Sequence, residues 1–233
     1  MKEVFSKRVT MFKLFYDLVF AYMLSQATNI IHHLHHGILT VTSLSTFVIV
    51  MVVFLNSWMI QTVYTNRFGT SSWLDSIFTF INMMIVLYLS NSFTNVQNYR
   101  AFFVVAGLLS FTLLLQYLII FICPSSDEDQ QIAKVFAKIL CFRTIFLLVG
   151  GLIFGVTGII IALIGVIGSW WVPSLTGKYT HRHPIIFSHL LERLTLLTLV
   201  TFGETIVGIS EYFTRETFSF WSILVFVIVT GTS

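Results

Sequence analysis

The chain has 233 residues, 56% of them hydrophobic and 10% charged, and a mean hydropathy of +0.89. A soluble domain carries roughly 25% charged residues. The net charge of +3 is scattered between apolar blocks and forms no patch for a polyanion, so soluble, disordered and nucleic-acid-binding classes are set aside. What remains is an all-α polytopic transmembrane helix bundle partnered by the lipid bilayer, with room for seven or eight spans at about 20 apolar residues each.

The first apolar block runs from about Val9 to Ile31. Lys2, Lys7 and Arg8 ahead of it, and Ser25-Gln26-Ala27 within it, have the outline of a signal peptide. Asp17 interrupts the apolar core, however, and the run continues past the cleavage-like site, so it is read as a retained first helix. The next blocks run from Ile38 to Tyr64, Trp73 to Phe93, Phe102 to Cys123, Ile132 to Phe154, Val156 to Val172 and Ile185 to Phe213. Gly150-Gly151 and Gly155 mark a tight hairpin between the fifth and sixth. An eighth block opens near Phe218 and is still apolar at Ser233. Residues 1–233 are therefore expected to be one transmembrane helical domain, truncated at its C-terminus.

Lys and Arg in the short loops set the orientation. With the N-terminus inside, the inner loops hold Lys2, Lys7, Arg8, Arg67, Lys134, Lys138, Lys178 and Arg182, and the outer loops hold Arg100 and Arg215. Cys123 and Cys141 are two lone cysteines with no metal-type spacing.

Ionisable groups at membrane depth cost about 2.5 to 3.5 kcal/mol each on insertion scales and persist where they have a partner or a task. Asp17, Arg143 and Glu204 are such groups, with Glu192 and Arg193 nearer an interface. Asp17, Ala21, Ser25 and Thr28 make one small polar stripe on the first helix. Asp75, Thr79 and Asn82 make another on the third, and Ser57 with Gln61 a third on the second. Such stripes serve either as helix–helix glue or as the lining of an internal path. Asp17, Glu204, Arg143 and Asp75 are the candidates for handling an ion or proton. On the seventh block Glu192 and Arg193 are expected to neutralise each other locally. Glu204 lies eleven residues beyond Arg193, about 16 Å along the axis and too far for a direct pair, so Arg143 is its candidate partner. His32 and His36 have metal-compatible spacing, but the cluster reads better as an interfacial polar cap, and neither a metal nor a cofactor is expected. GxSxG, HExxH, GxxxxGK[ST] and GxGxxG are absent, so no enzymatic activity is expected.

Val9 to Ala21 reads VTMFKLFYDLVFA, Thr65 to Phe68 reads TNRF, and His189 to Gly208 reads HLLERLTLLTLVTFGETIVG. In order and spacing these resemble the bacterial low temperature requirement A (LtrA) family of multi-pass membrane proteins, and the resemblance covers the whole chain. That family's pattern has ELF[YF]DLVF early, NRF after the second helix, and H-x-x-ERF-x-L…LGE-[ST]-[IV] later. The resemblance places Phe15, Asp17, Asn66, Arg67, His189, Glu192, Arg193, Gly203 and Glu204 at family positions. It implies a location in the bacterial cytoplasmic membrane. Lys13 stands where the pattern has an acid. Family members are also longer, which again suggests a missing C-terminal part. A weaker echo links Phe15-Tyr16-Asp17 with Phe202-Gly203-Glu204, six spans apart and hence parallel. That suits a duplicated six-helix plan, similar by analogy to the lysosomal potassium channel family.

Three functions compete: transport of a small ion or solute on intramembrane carboxylates, a non-transporting factor for envelope homeostasis or low-temperature growth, and, least supported, an intramembrane enzyme. A continuous polar path favours the first, and a dry packed interior the second. The orientation is checked directly. In a background lacking Cys123 and Cys141, single cysteines at Ser71 or Ser126 should react with an impermeant label only from the cytoplasmic side, and at His35 or Asn95 only from outside. Reversed access at two sites overturns the topology.

Overall fold

The computed structural model describes residues 11–32, 40–69, 72–92, 99–175 and 187–210. All seven elements in these segments are α-helices: α1 (Met11–His32), α2 (Val41–Arg67), α3 (Trp73–Ser92), α4 (Tyr99–Ile122), α5 (Asp127–Leu152), α6 (Val156–Leu175) and α7 (Phe187–Ser210). Each apolar block from the first to the seventh is thus one helix. The eighth block lies outside the described residues. On length and composition alone, α2, α3, α4 and α5 are apolar enough to cross a bilayer. α1 and α7 carry Lys13, Asp17, Glu192, Arg193 and Glu204 within their apolar runs.

Some helix boundaries depend on polar caps that a hydropathy profile does not register. α5 starts at Asp127, before its apolar stretch, because the Ser126 side chain accepts a bond from the Asp129 amide at 3.2 Å. Asp127, Glu128 and Asp129 then sit in the first turn, where the helix dipole favours acids. α2 is capped by Thr40, which accepts from the Ser43 amide at 3.3 Å.

The α5–α6 hairpin needs its glycines for two separate reasons. Gly155 has φ +81°, the left-handed conformation that turns the chain between the two helices. Gly150 and Gly158 let the backbones touch: a Cβ on Gly150 would lie 2.6 Å from the Gly158 carbonyl and 2.8 Å from Ala162. The expected tight turn is therefore present, followed by an unusually close helix pair.

α2 is the axis of the bundle and packs against α1, α4, α6 and α7. Its buried residues mix Val50, Val53 and Phe54 with Asn56, Ser57, Trp58, Gln61 and Thr62. The exterior is the reverse: Leu18, Leu44, Met59, Phe80, Met84, Leu108 and Ile145 are exposed. Polar groups buried within the apolar core around α2, beneath an apolar coat, form an arrangement that lipid stabilises and water does not.

The loops bear out the alternation of spans. At one end Arg67 of α2 approaches Asp129 of α5 at 3.9 Å. Tyr64, Phe68, Tyr117 and Phe136 form an aromatic cluster beside it. At the other end Arg100 of α4 donates to the carbonyls of Gly151 and Leu152 at 3.3 and 3.4 Å. Its guanidinium also lies 3.8 Å from the Phe154 ring centre. The α2–α3 and α4–α5 connections thus share one face, and the α3–α4 and α5–α6 connections share the opposite one. A cleft of about 310 Å³ opens beside Arg100, Phe103 and Phe154.

Two substitutions separate the glycine roles. Gly150→Val should sharply reduce the monodisperse yield in detergent, since a branched side chain must force α5 from α6. Gly155→Asn should be nearly neutral, because asparagine tolerates positive φ. Equal losses for the two would refute the close-packing account.

Candidate functional site

The buried polar groups converge on the middle of α2. Asp17 on α1 is 6% exposed and Arg193 on α7 is 4% exposed. Arg193 donates to Asp17 through both ends of its fork, Nε to Oδ2 at 3.0 Å and Nη2 to Oδ1 at 2.6 Å. This is the planar two-point geometry that guanidinium and carboxylate favour. The Trp58 indole of α2 donates to the same Asp17 Oδ1 at 3.0 Å. The Arg193 guanidinium also lies 5.9 Å from the Trp58 ring centre. One carboxylate therefore ties three helices together.

Arg143 on α5 is wholly buried. It donates to the Asn56 side-chain carbonyl, to the Ser57 hydroxyl at 2.6 Å and to the Val53 backbone carbonyl at 3.2 Å. Ser169 on α6 donates to the same Asn56 oxygen at 3.3 Å. None of these acceptors is charged, and among the described side chains Arg143 forms no ion pair. Tyr16, 1% exposed, lies within electrostatic range of Asp17, Arg193 and Arg143. Two arginines, one aspartate, a tyrosine and a tryptophan thus form a single buried centre.

Further along α2 toward the Arg67 end, the Asn82 side chain donates to Gln61 at 3.5 Å and accepts from Thr112. Tyr64 donates to Asp75 at 3.1 Å, and the Tyr117 hydroxyl donates to the Ile60 carbonyl at 3.5 Å. Asp75 belongs to this layer. It does not meet Asp17, because their contacts on α2, Tyr64 and Trp58, are six residues apart. At 1.5 Å per residue that is about 9 Å.

The expected local neutralisation of Arg193 by Glu192 is replaced by the bond to Asp17. Adjacent residues on a helix point about 100° apart, so Arg193 turns inward while Glu192 is exposed. Arg143 is held by amide, hydroxyl and carbonyl oxygens of α2, and the side chain of Glu204 lies outside the described residues. Phe15 is exposed, as is Gly203, with open space where a Cβ would be. Asn66 and Arg67 close α2. His189 lies in the first turn of α7, its side chain outside the described set, as are His33, His35 and His36.

Tyr16, Trp58, Asn56 and Ser169 were not singled out from sequence. A signal for Trp58 existed: it neighbours Ser57 of the polar stripe, and a buried indole N–H needs an acceptor. A signal for the Asp17–Arg193 pair existed too. Both lie six residues into helices that run in the same direction by the alternation of spans, hence at one depth.

The family model for the bacterial low temperature requirement A protein (LtrA) matches residues 8–232. The chain belongs to the LtrA family. It is accordingly an integral membrane protein, and no curated protein and no solved structure proved similar to it. The first and the last of the LtrA motifs meet in this fold, since Asp17 of the early one and Arg193 of the late one form the buried pair.

Removing one member of that pair leaves the other charged, buried and unpaired, at about 3–5 kcal/mol, whereas replacing both with apolar residues is far less costly. Arg193→Met and Asp17→Leu singly should each lower the unfolding midpoint in detergent markedly, and the double variant should recover much of the loss. Additive effects would exclude the pairing.

Proposed function

We propose that this LtrA protein moves an ion or small solute across the bacterial cytoplasmic membrane through the interior of the bundle around α2. The observation that carries this reading is the set of buried polar atoms without a hydrogen-bond partner among the described residues. They are the Tyr16 hydroxyl, Thr62 Oγ1, Arg67 Nε and Nη2, both Gln116 amide atoms, Arg143 Nε, Thr144 Oγ1 and Arg193 Nη1. Buried polar groups in a dry packed bundle are nearly all bonded to protein, because each one left over costs about 1–3 kcal/mol. Here they extend from the arginine centre to the Arg67 end of α2, alongside bonded Gln61 and Asn82. Such a trail supports an interior that admits water or a polar solute.

Within this reading Asp17 holds Arg193 and fixes three helices, and Glu204 is the group that exchanges a proton. Gly203 beside it leaves room for water to approach. No enzymatic activity is assigned. The Asp17 lock on α1, α2 and α7 is also what a non-transporting membrane factor for envelope homeostasis would have, and that is the alternative reading.

Ion flux by the purified full chain in liposomes tests the proposal. Glu204→Gln preserves size and hydrogen bonding but removes the titration. The variant should insert and fold like the parent and lose the pH dependence of flux between about pH 5 and 8. An absence of flux in the parent chain would favour the non-transporting factor. Parent-like pH dependence in the variant would remove Glu204 from proton handling.

A further inference from the structure

The centre described above is unbalanced in charge and in hydrogen bonds, and both imbalances have the same sign. Arg193 is matched by Asp17, whereas Arg143 is wholly buried among neutral oxygens. The described members of the cluster therefore carry one net positive charge. Three of its atoms have no hydrogen-bond partner among the described residues: Arg143 Nε, Arg193 Nη1 and the Tyr16 hydroxyl. The first two are obligate donors and the third is a ready one. Their side chains are 0%, 4% and 1% exposed.

The three lie at one depth of the bundle. Arg143 is fastened to Ser57 of α2 and Arg193, through Asp17, to Trp58, one residue or about 1.5 Å further along that helix. Tyr16 adjoins Asp17 in sequence and is within electrostatic range of both arginines. A cation would meet donors and positive charge here. A neutral solute would satisfy hydrogen bonds but leave the charge. A small monovalent anion answers both, since it accepts from several N–H and O–H groups and cancels one charge.

We propose that Arg143, Arg193 and Tyr16 form a binding site for a small monovalent anion at the centre of the bundle, with Asp17 holding Arg193 in place. The inference deepens the transport reading and rests on it only for the statement that the anion is cargo; the site itself follows from the donors and the charge. Asp17 then sets the selectivity: with one arginine neutralised, the cluster accommodates one negative charge and disfavours a second.

The test uses the purified full chain in detergent. Chloride or nitrate is titrated against gluconate at constant ionic strength and pH, and the unfolding midpoint is followed. Both small anions should raise the midpoint saturably. Arg143→Gln should abolish the response. Tyr16→Phe, which keeps the ring and loses only the hydroxyl, should raise the half-saturating concentration roughly tenfold and gives a second readout should Arg143→Gln fail to fold. Gly155→Asn, at the turn between α5 and α6, should retain the response. Identical midpoints in chloride, nitrate and gluconate would overturn the site, as would a response unchanged in Tyr16→Phe. So would a response that is absent from the parent and appears in Glu204→Gln, because Glu204 would then be the native acceptor. Flux in liposomes separates the two proposals. Saturable stabilisation without anion flux upholds the site and removes the anion as cargo, whereas cation flux with flat midpoints overturns the site and upholds transport.

Discussion

The bond between Arg193 and Asp17, with Trp58 as the third member, is the constraint on which the arrangement of this bundle depends. Lipid provides no hydrophobic force to hold one helix against another. A charged group at membrane depth is costly and persists where it has a partner or a task. Asp17 gives Arg193 a counter-charge and two hydrogen bonds, and Trp58 adds a second donor to one oxygen of Asp17. α1 carries Asp17 and α7 carries Arg193, and packed against α2 these two charges neutralise each other. The two helices furthest apart in the described chain are in this way bound to its centre.

α2 makes that possible because its inner face is polar over several turns. Asn56 and Ser57 receive Arg143, Trp58 receives Asp17, Gln61 meets Asn82, and Tyr64 meets Asp75. The side chains that would be surface residues in a soluble helix are here the core, and Leu55 and Met59 face outward. The ends of the bundle follow a different logic. Arg67 with Asp129, and Arg100 with the carbonyls that end α5, lie where charge is inexpensive, and they fasten loops, not the core.

The α4–α5–α6 side is held by close contact. Gly150 and Gly158 bring two backbones together, and Gly107 receives Leu148 between α4 and α5. One half of the molecule is thus joined by small residues and dispersion, the other by a buried ion pair and its hydrogen bonds. The arginine centre lies where the halves meet, with Arg143 from the first and Arg193 from the second.

The sequence by itself determined the spans, because bilayer thickness is a one-dimensional constraint that a run of apolar residues meets or does not. Seven blocks became seven helices, and the glycine hairpin became a turn. The helix ends departed where a local cap decided, as at Ser126, since a hydropathy profile does not register a hydroxyl accepting an amide. The family was legible from three short motifs. The importance of Asp17, Arg143 and Arg193 was legible as well, because an ionisable group in an apolar run is conspicuous. Their partners were not. Glu192 is one residue from Arg193 and Asp17 is 176 residues away, yet the direction of the Cα–Cβ bond on α7 gives the guanidinium to the distant acid. Depth along the membrane restricts which groups can meet, and it placed Asp17 level with Arg193. Which of the groups at that depth do meet depends on the order of helices around the axis, and long-range packing alone decides that order.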